Sequence, residues 1–162
     1  MTQPSADDDA LNDARQRIDA LDQQIQALIN ERAGVALQVA EIKQRQGRTD
    51  FYRPEREAQV LARVAERNAG PLADQAMARI VREIMSACLA LEQPMTVAYL
   101  GPEGTYTQAA VYKHFGHAVT AAPQAAINDI FRDVEAGNAH FGVVPVENST
   151  EGVVSHTLDQ LV

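Results

Sequence analysis

The chain has 162 residues, 46% hydrophobic and 22% charged, the balance of a globular protein large enough for one medium domain or two small ones. Lys+Arg number 14 against 22 Asp+Glu, a formal net charge of −8 that argues against a general nucleic-acid or anionic-membrane surface, so an anionic small molecule would need a local cluster of cations. The single cysteine, Cys88, allows no intramolecular disulfide, the acidic opening MTQPSADDDA lacks the basic-then-apolar pattern of a signal peptide, and no apolar run approaches the roughly 20 residues that span a bilayer; a reducing cytoplasm is expected, and no membrane.

Residues 1–10 form an acidic tail expected to be disordered. From Leu11 to about Gln46 there is no proline, and Ile18, Leu21, Ile25, Leu28, Val35, Val39 and Ile42 fall on alternating three- and four-residue steps, which predicts one helix ~50 Å long. That is more than a compact domain of this size covers by itself, so a partner helix is implied. Pro54 suits a first helical turn, and Glu55 to Asn68 resumes the helical pattern with Val60, Leu61 and Val64 on one face. After Gly70-Pro71, the residues Met77, Ile80, Val81, Ile84, Met85, Cys88 and Leu91 keep helical spacing until Pro94 ends it. The texture then changes. Thr96 to Leu100 reads as a strand, Gly101 to Gly104 as a turn, Thr105 to Phe115 as a helix, Ala118 to Ala122 as a strand, Ala125 to Ala136 as a helix, and Phe141 to Val146 as a buried strand. Strands alternating with helices predict a parallel sheet, so the chain reads as a two-domain α+β protein with a border near residue 94: three helices over 11–94, then an incomplete α/β lobe over 95–162.

The stepping of the first helix has one vacancy between Leu28 and Val35, and Arg32 fills it. An arginine there could snorkel to the surface or fix the register of a coiled pair. Lys43, eleven residues on, lies almost three turns away on nearly the same side, so two cations flank one apolar-walled space. Arg15 lies beside the same seam but 28 residues from Lys43, ~42 Å along a straight helix, so one ligand cannot touch both in one chain. In an antiparallel pair of chains, Arg15 of one copy reaches the Arg32 and Lys43 of the other, and two equivalent sites follow from the two-fold symmetry. Guanidinium forks and a lysine suit a small compound with more than one carboxylate.

The segments ARQRIDALDQQI, INERAGVALQVAEIK, YRPEREAQVL and EIMSACLALEQP, spanning Leu11 to Pro94, closely resemble the all-helical class of chorismate mutases. The resemblance implies three helices per chain intertwined as a homodimer, chorismate as substrate, prephenate as product, and neither metal nor cofactor. It implies that Arg15 is lent across the dimer, that Arg32 grips a substrate carboxylate, and that Lys43 stands near the ether oxygen. Arg56 and Glu57 match the family's Arg-Glu pair, the glutamate accepting a hydrogen bond from the ring hydroxyl; the alternative is a surface ion pair such as Arg53 with Glu57. Two positions depart from the commonest pattern. Cys88 stands where many members have serine, and Glu92 stands where many have a glutamine beside the ether oxygen. A carboxyl donates a hydrogen bond only while it holds its proton, so Glu92 requires a raised pKa.

VAYLGPEGTYTQAAV and FGVVPVENSTEGVV resemble the opening of prephenate dehydratases, in the mutase-then-dehydratase order of bifunctional enzymes of phenylalanine biosynthesis. The resemblance implies one lobe of a periplasmic-binding-protein-like fold whose second lobe, with a catalytic Thr-Arg pair, lies outside these 162 residues, so the chain is not expected to dehydrate prephenate. The glycine-bearing turn exposes backbone N–H groups before a helix where Thr105 and Thr107 add hydroxyls, and Glu147, Asn148, Ser149 and Thr150 sit at a strand's carboxyl end, where open parallel sheets bind ligands, or else cap the next helix. His114, His117, His140 and His156 show no metal-ligand spacing and read as surface residues. A different class of answer is a non-catalytic helical dimerisation module joined to a ligand-binding lobe, with Arg32 fixing register.

Overall fold

The computed structural model describes residues 6–48, 51–148, 152, 153 and 157. Helix α1 runs Ala6–Arg45 over 40 residues, about 60 Å. It begins inside the acidic stretch expected to be disordered, which corrects that boundary: Asp7, Asp8 and Asp9 fall in its first turn, where negative side chains complement the positive end of the helix dipole. Lys43 and Arg45 close its last turn with the opposite sign. Helix α2 (Pro54–Arg67) opens on proline, whose missing N–H costs nothing at that position. Helix α3 (Asp74–Glu92) ends just before the Pro94 that stops it.

Helices α1 and α2 both pack along α3, but among the described residues most of α1 is exposed. Its seam lies open in the single chain, with Ile18 56%, Ile25 53% and Leu28 63% exposed, while Ala40 near its C-terminal end is buried. The seam predicted from periodicity is present, and within one chain its N-terminal half is bare.

After α3 the chain builds β1 (Thr96–Leu100), α4 (Tyr106–Phe115), β2 (Thr120–Gln124), α5 (Ile127–Glu135) and β3 (Phe141–Val143). The three strands form a parallel sheet in the order β2-β1-β3, as the alternation of elements predicts. Central β1 is buried on both sides, with Val97, Ala98 and Tyr99 at 0% exposure. Edge strand β2 starts two residues later than expected and tolerates Pro123, which an interior strand would not. Strand β3 ends at Val143, three residues early. Beyond it Glu147–Asn148 (β4) pairs antiparallel with Gly152–Val153 (β5), a short ribbon that alternation alone did not announce.

The two parts share a core. Met95, Val97, Tyr99, Val111 and Phe115 form one buried cluster, and Tyr52 and Leu89 from the helical part pack against it. Ser86 Oγ accepts a hydrogen bond from the Ala118 N–H at 3.3 Å, and Glu83 accepts from the His117 backbone N–H at 3.0 Å and pairs with the His117 ring at 2.8 Å. Gly116, at φ +77°, lets this corner close: a Cβ there would lie 2.5 Å from Ser86 Cβ. Among the described residues no helix is long and apolar enough to cross a membrane.

Candidate active site

An open cavity of about 380 Å³ lies where α1, the start of α2 and α3 converge. From α1 it takes Arg32, Val35, Ala36, Val39 and Lys43, which are successive residues of one helical face. From α3 it takes Met85, Cys88, Leu89 and Glu92, again one face, and from the segment entering α2 it takes Tyr52, Arg53, Arg56 and Glu57. Six residues singled out in the sequence thus meet in one space: Arg32, Lys43, Arg56, Glu57, Cys88 and Glu92. Arg15 is not among them, since it lies far along the unpartnered half of α1.

Lys43 is half-buried, its Nζ donating to the Phe51 carbonyl at 3.3 Å and standing 5.8 Å from the Phe51 ring centroid. Glu92 at the end of α3 is also half-buried. Burial pushes its carboxyl above the usual carboxylate range, and the charges of Lys43 and Arg32 pull the other way without cancelling the effect. The raised pKa inferred from the replacement of an amide by a carboxyl is therefore present in direction. Cys88 is buried and is a free thiol, placed to fill space on the α3 face.

Glu57 does not pair with Arg53. Its Oε1 accepts from Arg82 Nε on α3 at 3.3 Å, the two side chains being only 13% and 25% exposed. A partner 25 residues away was invisible to a search for local i, i+4 pairs. Beside Glu57 stands Tyr52, whose buried Oη faces the Glu57 carboxylate. Burial foremost, then the Glu57 carboxylate, pushes its pKa up to about 12, so it stays protonated at any working pH. Sequence reasoning also missed Phe115, which reaches the cavity from α4 in the other half of the chain.

In the second half, the turn before α4 satisfies itself. Thr105 Oγ1 accepts from the Gln108 N–H at 3.4 Å and donates to the Leu100 carbonyl at 3.3 Å, while the Gly104 N–H donates to Gln108 Oε1 at 2.7 Å. Thr105 is thus a helix cap here, and Thr107 lies in the first turn that follows. Glu147 and Asn148 are the backbone of β4, and Ser149 and Thr150 lie outside the described residues. His114, His117 and His140 are exposed, as expected, and His156 lies outside the described residues.

A helical hairpin beside one long helix thus gathers cations and carboxyls over an apolar floor. Residues 14–93 match the family model for chorismate mutase type II, and residues 97–162 match the model for prephenate dehydratase. The chain is similar, at 60% identity over 158 residues, to the bifunctional chorismate mutase/prephenate dehydratase of Pseudomonas aeruginosa, covering 95% of this chain and 43% of that protein. It is 51% identical over 154 residues to the protein of the same description from Neisseria gonorrhoeae, covering 95% of this chain and 42% of that one. The chain thus spans less than half the length of these relatives. Among solved structures, a form II chorismate mutase from Thermus thermophilus superposes with a TM-score of 0.50 at 27% identity, over 52% of this chain and 94% of that one.

Proposed function

We propose that the chain binds chorismate in the cavity between α1, α2 and α3 and rearranges it to prephenate. The observation that carries this reading is the meeting of Arg32, Lys43 and Arg56 with Glu57 and Glu92 in one apolar-walled cavity. The rearrangement needs no nucleophile, metal or cofactor. It needs a compact, chair-like conformer and stabilisation of the negative charge that grows on the ether oxygen, so orientation and electrostatics suffice. Arg32 grips a carboxylate through its planar fork, and Arg56 adds positive charge at the mouth of α2. Glu57, oriented by Arg82, accepts the ring hydroxyl. Lys43 and protonated Glu92 point at the ether oxygen, and Cys88 packs beneath.

The second carboxylate calls for Arg15 of another copy. The bare seam of α1 supports a two-fold pairing of chains, since exposed Ile18, Ile25 and Leu28 would be covered and Arg15 carried to the partner's cavity. A cytoplasmic setting fits the lone buried thiol. In a longer chain of the kind found in the relatives, residues 97 onward would open a prephenate dehydratase lobe, with Thr107, Glu147, Asn148, Ser149 and Thr150 as its first candidates for ligand contact.

The test is loss of chorismate absorbance with purified chain from about pH 5 to about pH 8, beside Arg32→Ala. Turnover by the parent alone is expected. No turnover by either protein, with the paired state intact, would favour the non-catalytic dimerisation reading. Because the raised pKa of Glu92 keeps the donating form above the ordinary carboxylate range and loses it as pH climbs further, the rate should be highest at mildly acid pH. Glu92→Gln should extend activity upward in pH, and a parent profile that rises into the alkaline range would sink this assignment.

A further inference from the structure

Phe115 belongs to the α/β part by its position at the end of α4, yet it lines the cavity that holds Arg32, Lys43 and Glu92. It is fixed there from both sides. Its ring lies 5.7 Å from Tyr52 and 5.4 Å from Phe141, and Tyr52 meets Phe141 edge-on at 5.3 Å, so three rings from three segments lock together. The next residue, Gly116, presses against Ser86, and the Ala118 and His117 N–H groups donate to Ser86 and Glu83 on α3. The end of α4 is therefore pinned to the same helix that carries Cys88 and Glu92. Tyr52, held by Phe115, stands in turn beside Glu57.

We propose that Phe115 is a positioning residue of the mutase site: it supplies an apolar wall opposite the cations and, through Tyr52, fixes the place of Glu57. The α/β part then completes a cavity that the helical part cannot close alone. This rests on the mutase reading above. Losing such a wall removes contacts of the size that separate close substrates, so Phe115→Ala should raise the KM for chorismate about tenfold with a smaller change in kcat. Phe115→Leu, which keeps most of the bulk, should recover most of the loss. Ile130→Val, which loosens the separate buried cluster of Ile130 with Ala98 and Ala139 and touches neither the cavity nor the three rings, should leave KM near the parent's.

Phe115→Ala opens the core and can fail to fold. The chain has no tryptophan, so Phe115→Trp places a single indole in the wall. Its emission should shift as chorismate is added and saturate at the concentration that half-saturates turnover. An emission that ignores chorismate in a protein that still turns it over, or an unchanged KM in a folded Phe115→Ala, overturns the positioning role and leaves the mutase reading standing. Equal losses in Ile130→Val and Phe115→Ala would also overturn it, since both would then act through stability alone. If the parent itself is idle, the mutase reading fails and the role falls with it.

Discussion

Glu92 stands under opposing influences, burial raising its pKa and the charges of Lys43 and Arg32 lowering it, with burial prevailing. A carboxyl whose pKa is higher folded than unfolded stabilises the fold fully below the unfolded value, and that contribution is lost as pH rises through the folded value. Replacing it by glutamine should flatten this part of the pH dependence of Tm; an unchanged slope between parent and Glu92→Gln would show that the side chain is solvated in both states. Arg82 makes a second residue-scale case. It lies outside the cavity, but its bond orients Glu57, and Arg82→Gln leaves a carboxylate that is only 13% exposed without its charged partner. A loss of about 1–3 kcal/mol in urea denaturation is expected, together with weaker chorismate binding. Retained stability would mean that Glu57 turns out to water.

At the scale of elements, the corner between α4 and β2 is tightly constrained backbone. Gly116 combines φ +77° with a Cβ position 2.5 Å from Ser86, so Gly116→Ala meets both an unfavourable dihedral and a collision. A destabilisation above about 1 kcal/mol is expected, seen as a fall in Tm, whereas the gain in Tm usual for Gly→Ala at permissive sites would mean that the corner can shift. What could be read from sequence divides along the same line. The seam of α1, the pairing of Arg32 with Lys43 and the parallel sheet were legible because each depends on spacing within one or two elements. The placing of Arg56, Glu57, Cys88 and Glu92 came through family resemblance, not from periodicity. Phe115 and Arg82 were missed because their partners are reached only through the packing of distant segments, and packing has no period. The start of α1 was misjudged because acidic composition was weighed without the helix dipole that rewards it at an N-terminus.

At the scale of the whole molecule, the proposed site needs Arg15 and Arg32 from different copies, and this can be separated from every single-chain account. Arg15→Ala and Arg32→Ala should each be nearly inactive alone. Unfolded together and refolded at equal amounts, they form mixed pairs in which one of the two sites has both arginines, so about a quarter of the parent's activity should return. No recovery, with mixed pairs demonstrated, would place both arginines in one chain's site and overturn the exchange.

The shared core of Tyr52, Leu89, Met95 and Phe115 also bears on how this polypeptide can be divided. A protease or a cloning strategy that severs the backbone between Pro94 and Met95 finds no slack tether there, but a weld. The helical fragment would keep every charged group of its cavity and yet turn aromatic and aliphatic surface to water, while the released lobe would lose the face against which its sheet is seated. Such fragments should stick to one another and to themselves. A polypeptide trimmed to its helices alone would therefore call for polar replacements along the wound before it could be handled as a separate protein.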